Sequence, residues 1–456
     1  MNNIITTSSQ ENLTTVHTTC AYCGVGCGVE AEVNQDTRTA TVKGLQHHPS
    51  NYGRLCSKGS ALADTIGLDE RLLQPEVNGK PASWDSALNF VSDGFQKVID
   101  EHGPDAVAFY ASGQLLTEDY YVANKLMKGF IGSGNIDTNS RLCMSSSVVG
   151  HKRAFGTDTV PGCYEDFEQA ELIILVGSNT AWCHPVLFQR IKLHKENNPH
   201  VKVVVVDPRA TATCDIADLH LQVNLGTDVW LFNGLLSYLA DNNLLDSGYI
   251  NGHCQGFEAA LKEAQNTCGD AAHNAHALGI NEKDLNTFYK WFGATKKVVT
   301  LYSQGVNQSS SGTDKVNSII NAHLATGRIG REGCGPFSMT GQPNAMGGRD
   351  VGGLANTLAG HMDFTEDNIE RVGRFWQSTN MAQKPGLMAV DMFDAISEGT
   401  IKAVWIMATN PAVSMPNADK VKKALQKCEL VVVSDCIADT DTVALANVKL
   451  PAIGWS

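Results

Sequence analysis

Cys20, Cys23 and Cys27 fall within eight positions, and Cys56 follows after a short excursion, in the spacing C-x2-C-x3-C-x28-C. Converging thiolates make a soft ligand set. Gly24 and Gly26 let the backbone wrap closely around whatever the sulfurs hold. Structural zinc usually takes two separated C-x2-C knuckles. A cubane iron–sulfur cluster suits three clustered cysteines plus one remote one, and backbone N–H groups freed by glycine tune its potential. The spacing favours a 4Fe-4S cluster over zinc. Four unmetallated thiols packed as small hydrophobes are the plainer reading, but packing needs no such clustering. Lys58 follows the fourth cysteine by two positions. Most lysines are simply solvated; beside a cluster, one can bridge to a second redox centre.

Two further stretches carry chemistry. In Asn139-Ser140-Arg141-Leu142-Cys143-Met144-Ser145-Ser146-Ser147, a cysteine precedes what reads as a small-residue helix start. There the helix dipole and Arg141 would stabilise a thiolate; taken alone, a single cysteine is more often a core thiol. Gly341-Gln342-Pro343-Asn344-Ala345-Met346-Gly347-Gly348-Arg349 is a dense polar-glycine loop. It reads as surface, but loops of this length are uncommon unless they do something.

The elements that must position these residues repeat strand then helix. Val29–Val33 and Thr39–Lys43 read as a hairpin beneath the cysteine loop. Trp84–Asp100 and Tyr120–Phe130 have helical spacing, and Asp105–Tyr110 is a short apolar strand followed by Ser112-Gly113-Gln114. Later strands end in polar turns: Leu172–Val176 in Gly177-Ser178-Asn179, Val201–Val206 in Asp207-Pro208-Arg209, and Val298–Tyr302 in Ser303-Gln304-Gly305. Val404–Met407 ends in Thr409-Asn410-Pro411, and Leu430–Val433 in Ser434-Asp435. Near-continuous apolar strands suit parallel sheets covered on both faces, hence an α/β class. Ligands of such sheets bind past the carboxyl ends of the strands. Any one turn reads equally as a helix cap; five in the same place point to an extended nucleotide ligand, one or two copies.

The length of 456 residues predicts two or three domains. A net charge of −13 argues against nucleic acid and anionic membranes as partners, and no run approaches a membrane span. An anionic substrate then needs a local basic group. The first nineteen residues are polar, without the basic and apolar regions of a secretory or twin-arginine signal, and read as a flexible tail. Thirteen cysteines, an odd number without such a signal, fit a reducing cytoplasm better than a disulfide framework. Cys163, Cys183, Cys214, Cys254, Cys268, Cys334, Cys428 and Cys436 read as core packing.

With these motifs in view, the chain resembles the molybdenum bis(molybdopterin guanine dinucleotide) oxidoreductases from about residue 18 onward, and among them the assimilatory nitrate reductases. The resemblance rests on the cysteine quartet, Gly53-Arg54-Leu55-Cys56-Ser57-Lys58-Gly59, Arg141-Leu142-Cys143-Met144-Ser145-Ser146 and the Gly341–Arg349 loop. It implies an amino-terminal tail and 4Fe-4S domain over 1–74, an α/β domain over 75–142 and 345–456, and a Rossmann-like α/β domain over 143–344 inserted into it. It also implies a further domain, beyond residue 456, that closes over the pterins. By position, Cys20, Cys23, Cys27 and Cys56 would hold the cluster and Cys143 the molybdenum. Lys58 would lie between cluster and pterin. Gln114, Asn139, Gly177, Ser178, Asn179, Asp207, Asp228, Gln304, Gln308, Asn410, Ser434 and Asp435 would contact the guanine dinucleotides. Met144 and Arg349 would face the substrate, and a guanidinium suits a planar anion.

The implied activity is reduction of nitrate to nitrite in the cytoplasm, with electrons from ferredoxin, flavodoxin or a flavoprotein reductase. Formate dehydrogenases are the alternative within the family. There a histidine follows the metal ligand; here Met144 does. A non-catalytic iron–sulfur electron-transfer module is the alternative outside it.

Overall fold

The structure, a computed structural model, describes residues 13–455. It opens with three strands, β1 (Leu13–Thr19), β2 (Gly28–Asn34) and β3 (Thr39–Gly44), in an antiparallel sheet of order β1-β2-β3. The cysteine loop is the β1–β2 connection, closed at its neck by Cys20 N donating to Cys27 O at 2.8 Å. The expected hairpin is β2 and β3. The expectation of a tail up to residue 19 is corrected over β1; the part before residue 13 lies outside the described residues. Strand β1 is almost wholly exposed, so no apolar alternation marks it. Its register against β2, with Val16 opposite Ala31, holds it instead.

The chain continues through β4 (Glu76–Val77), β5 (Lys80–Pro81), β6 (Val107–Ala111) and β7 (Ile136–Thr138). Then come β8 (Leu172–Val176), β9 (Lys202–Val206), β10 (Leu219–Leu221), β11 (Val298–Tyr302) and β12 (Gly335–Ser338). The last strands are β13 (Ala403–Met407), β14 (Leu430–Asp435) and β15 (Val448–Pro451). A five-stranded parallel sheet has the order β10-β9-β8-β11-β12. A seven-stranded sheet, β5-β4-β15-β14-β13-β6-β7, is parallel except where β4 and β5 pair. Its strands come from both sides of the sequence that builds the five-stranded sheet.

Period-two alternation explains why both sheets read as continuous apolar runs. Leu172, Ile174 and Val176 pack with Val204 and Val206 against Leu231, Phe232 and Leu235. Ile173, Leu175, Val203 and Val205 face the other way and pack with Cys20, Val25 and Cys27. The cysteine unit is therefore seated on one face of the five-stranded sheet. Each fully buried aliphatic side chain there contributes roughly 1.5–3 kcal/mol. No helix among the described residues is long and apolar enough to cross a membrane.

The helix Trp84–His102 begins at Ser83, whose Oγ accepts from Ser86 N, and ends at Gly103 with φ 86°. The helix expected over 120–130 starts at Thr117 and becomes π-helical over Lys125–Ile131. Lys128, buried in that segment, donates to the carbonyls of Gly352, Leu354 and Thr357 at 2.6, 2.8 and 2.6 Å. It ties down the chain just past Arg349.

His151 links the helix Ser140–Phe155 to β11, with Nε2 2.7 Å from Tyr302 Oη. Burial pulls its pKa from 6.5 down to about 4. Burial also lowers His184 and His323. The unfolded chain takes up these protons as pH falls below 6.5, whereas folded His151 resists until about 4. Stability is thus lost on acidification through that window, by about 3 kcal/mol for His151 alone. Urea unfolding at pH 7 and pH 5 checks this. His151→Gln should lose less stability between the two pH values than the parent, and equal losses would mean that His151 titrates freely in the folded chain.

Candidate functional site

Cys20, Cys23, Cys27 and Cys56 line one small cavity, walled also by Pro185 and Val186. Burial pushes the Cys20, Cys23 and Cys27 thiols up, Cys27 to about 12, and the neighbouring thiols add to it. Lys58, exposed beside them, pulls Cys20 and Cys23 partly back. Such thiols ionise only against added positive charge. Among the described residues no trio of metal-ligating side chains closes on a single ion. Four thiols that share one small cavity are a ligand set a polynuclear cluster can use.

The cysteine loop is braced from two sides. Tyr164 Oη donates to Gly24 O at 3.0 Å and Val25 O at 3.3 Å. Buried Arg190 donates to Pro49 O, Ser50 O and Glu168 and lies against the Tyr52 and Tyr164 rings. Gly24 is where the loop meets the second site. Its N–H donates to Gly341 O at 3.1 Å, and a Cβ there would lie 2.5 Å from Thr340 O.

Cys143 sits within the first turn of the helix Ser140–Phe155, not ahead of it, and the helix is broken immediately after it at Met144, with φ −149° and ψ 18°. Arg141 does not serve the thiol as expected. Its guanidinium pairs with Asp137 at 2.9 and 3.1 Å and with Asn356 at 2.7 Å. Sγ instead receives Gln304 Nε2 at 3.1 Å and lies 3.7 Å from Thr340 Oγ1.

The break at Met144 brings its Sδ to 3.0 Å from Arg349 Nη1. Arg349 is 5 % exposed and its Nε lies 2.8 Å from Asp158 Oδ2, an ion-pair distance with the carboxylate off the N–H axis. Burial lowers the Arg349 pKa and Asp158 opposes the change. A cleft of about 400 Å³ opens beside this pair, lined also by Lys152, Asn356 and His361. Asp158 was invisible to sequence reasoning, because only the fold brings it to Arg349. Thr340 adjoins the glycine loop and could have been included with it.

The expected nucleotide residues lie past carboxyl ends of parallel strands or on the helices that follow, except Ser434 and Asp435, which are the last two residues of β14. Several already have partners. Asn139 accepts from Gly113 N at 3.0 Å and Gln342 Nε2 at 2.5 Å and donates to Thr409 Oγ1 at 3.0 Å. Ser178 is buried among Thr180 and Ser303, and Ser434 accepts from Trp405 Nε1. Those three brace the loops as they stand. Gln114, Asn179, Asn410 and Asp435 bond within their own turns or to neighbours, through Ser112, Thr213, Thr442 and Ile437. Asp207 accepts from Arg209 N, Asp228 pairs with Lys315 at 2.7 Å, and Gln308 donates to Leu142 O. Gly177, with φ 52°, abuts Gly305, where its Cβ would lie 2.8 Å from the Gly305 Cα. The turns after β8 and β11 therefore meet through bare backbone, the kind of surface a phosphate can approach.

Residues 71–456 match the molybdopterin oxidoreductase family and residues 13–67 the molybdopterin oxidoreductase Fe4S4 domain. The chain is 55 % identical over 443 residues to a nitrate reductase of Klebsiella oxytoca, covering 97 % of this chain and 50 % of that protein. It is 33 % identical over 445 residues to the alpha subunit of F420-dependent formate dehydrogenase 1 of Methanococcus maripaludis, covering 97 % and 64 %. The chain thus spans about half the length of the nitrate reductase it matches. Among solved structures, acetylene hydratase from Pelobacter acetylenicus shares the fold, with TM-score 0.77, 19 % identity, and coverage of 96 % of this chain and 63 % of that one. The four-thiol cavity, a fifth thiol facing hydrogen-bond donors, and two abutting glycine turns form a donor set that fits the groups the family is named for. On this sequence match, fold and donor set together, the chain belongs to the molybdopterin oxidoreductase family, with that family's Fe4S4 domain at residues 13–67.

Proposed function

We propose that this chain carries the cluster and metal end of an enzyme that reduces nitrate to nitrite. The observation that supports it is Arg349, a buried guanidinium on the wall of the cleft, 3.0 Å from the side chain that follows Cys143. It is the local positive charge a planar anion needs on a chain of net charge −13. The reaction consumes two electrons and two protons and turns nitrate into nitrite and water.

In this reading Cys20, Cys23, Cys27 and Cys56 hold a 4Fe-4S cluster and Cys143 binds molybdenum. Asp207 and Asp228 accept N–H or O–H donors of the guanine dinucleotides of the cofactor's bis form. When bound, the cofactor supplies two-electron chemistry that removes an oxygen atom from the substrate. The chain positions the anion on Arg349 and keeps Gln304 and Thr340 against the thiol. Lys58, two positions past Cys56, lies between cluster and pterin on the electron path, and Gly24 N–H donating to Gly341 O ties the cysteine loop to the glycine loop. The donor is a ferredoxin, flavodoxin or flavoprotein of the cytoplasm.

Formate oxidation is the second reading. It releases a proton, and Met144 cannot accept one. The nearer likeness to a nitrate reductase than to a formate dehydrogenase supports the same choice. Elemental analysis of the purified chain should give iron and molybdenum at about 4:1, and reduced-dye assays should show nitrate turnover without formate turnover. Zinc in place of iron, or formate turnover alone, overturns the proposal.

A further inference from the structure

Nitrate reduction consumes two protons, and no residue assigned so far can cycle a proton into the cleft. Arg349 keeps its charge at neutral pH, and the Met144 side chain has no exchangeable proton. Lys152 and Arg153, which also line the cleft, are ion-paired with Asp363 and Asp314. His361 lines the cleft as well. Among the described residues of its wall, His361 alone has a side chain that ordinarily gains and loses a proton near neutral pH. His151 lies near Asp158, but it is buried against Tyr302 and does not line the cleft.

The ring is held between two carboxylates. Nε2 lies 2.9 Å from Oδ1 of exposed Asp350, which anchors it. Nδ1 lies 3.7 Å from Asp158 Oδ2, the same oxygen that stands 2.8 Å from Arg349 Nε. That separation is too long for a hydrogen bond, so Asp158 attracts a proton on Nδ1 without binding it. The side chain is 28 % exposed, and its Nδ1 is not sealed as the Nδ1 atoms of His184 and His323 are. A ring with an acceptor on each side can donate to both only when protonated. The charged groups around it are Asp158 and Asp350, Arg349 behind Asp158, and the Lys152–Asp363 pair on the same cleft wall. The backbone is held too. Gly360 and His361 both have left-handed backbone, φ 68° and 57°, in a turn closed by Leu358 N–H donating to Met362 O at 2.7 Å. Glycine takes that conformation freely and histidine does not. Such strain persists where the surroundings fix it, and it clusters at functional sites.

We propose that His361 supplies the protons of the reaction. The protonated ring releases its Nδ1 proton to water in the cleft beside Asp158, and that water passes a proton to the oxygen that nitrate loses. Solvent then reprotonates the ring, and a second proton follows. Two such protons, with two electrons from the protein donor, balance nitrate against nitrite and water. His361 acts through water and is a positioning residue for the proton, while Arg349 holds the anion. This rests on the nitrate reading above.

His361→Gly tests it, since glycine suits the left-handed backbone and leaves a ring-sized gap on the cleft wall. In the loaded chain kcat for nitrate should fall about a hundredfold and KM should stay within about twofold of the parent, because Arg349 is untouched. Added imidazole should restore kcat at least about tenfold. Pyrazole, of the same size but too weak a base to carry a proton at neutral pH, should restore none. Rescue by both compounds would make His361 a filler of space, and parent-like kcat in His361→Gly would leave it no part in turnover; either result overturns the inference. A raised KM with kcat kept would put His361 on the anion and overturn it as well. A second measurement needs no turnover. Diethyl pyrocarbonate should acylate His361 in the folded chain and spare His184 and His323, as read from peptide masses. An unreactive His361 would mean that the cleft does not reach the ring, which also overturns the inference. A loaded parent that fails to turn over nitrate would overturn the nitrate reading itself, and this inference with it.

Discussion

A chain with Cys143 replaced by alanine is expected to keep its iron and lose nitrate turnover by more than about a hundredfold, beyond the range that outer-shell changes reach. The reason is local. The thiol is held by Gln304 Nε2 at 3.1 Å and the break at Met144 turns the chain away just behind it, so no other sulfur can take its place. Alanine is a strong helix former, and the helix Ser140–Phe155 should survive the change. The four-thiol cavity lies on the far side of Gly24 and Thr340 and should load as before. Cys143→Ser should fall between, since a hydroxyl is a harder ligand than a thiolate. Metal analysis and dye-linked assays on the same preparations check this. Parent-level turnover in Cys143→Ala would remove Cys143 from the metal.

Arg349→Lys is expected to raise KM for nitrate roughly a hundredfold, because it replaces a planar fork by a point charge and forfeits about one charge-assisted hydrogen bond of 1.5–3 kcal/mol with its geometry. Removing the charge altogether has a second consequence. In Arg349→Met the Asp158 carboxylate, 8 % exposed, loses the guanidinium 2.8 Å away and, among the described residues, is left with His361 at 3.7 Å as its ion-pair partner. A buried charge stripped of its partner costs about 3–5 kcal/mol. Adding Asp158→Asn should restore most of that stability and none of the nitrate turnover. Urea unfolding and steady-state kinetics on the single and double variants separate the two roles. An unchanged KM in Arg349→Lys would place the anion elsewhere.

Much of this was legible in the amino-acid order. A β-strand sealed on both faces is apolar at nearly every position, so β8, β9 and β11 announce themselves within a residue or so. Three thiols on one glycine loop are local geometry, readable from spacing alone. Strand β1 was not legible, because its residues face water and only pairing with β2 makes it a strand. The helix around Cys143 was read as starting too late, because its break lies inside it at Met144.

The clustered cysteines, the α/β alternation and the polar turns at the strand ends are legible in the linear order, since each is written in residues close together along the chain. Tertiary structure alone decided the partners. It sent Arg141 to Asp137 and Asn356, brought Asp158 to Arg349 across the whole stretch that builds the five-stranded sheet, and set Thr340 between Gly24, His184 and Cys143. Charge pairing and the satisfaction of buried donors and acceptors depend on distance in space, and a linear order carries no record of which distant residues the packing of two sheets will bring within 3 Å.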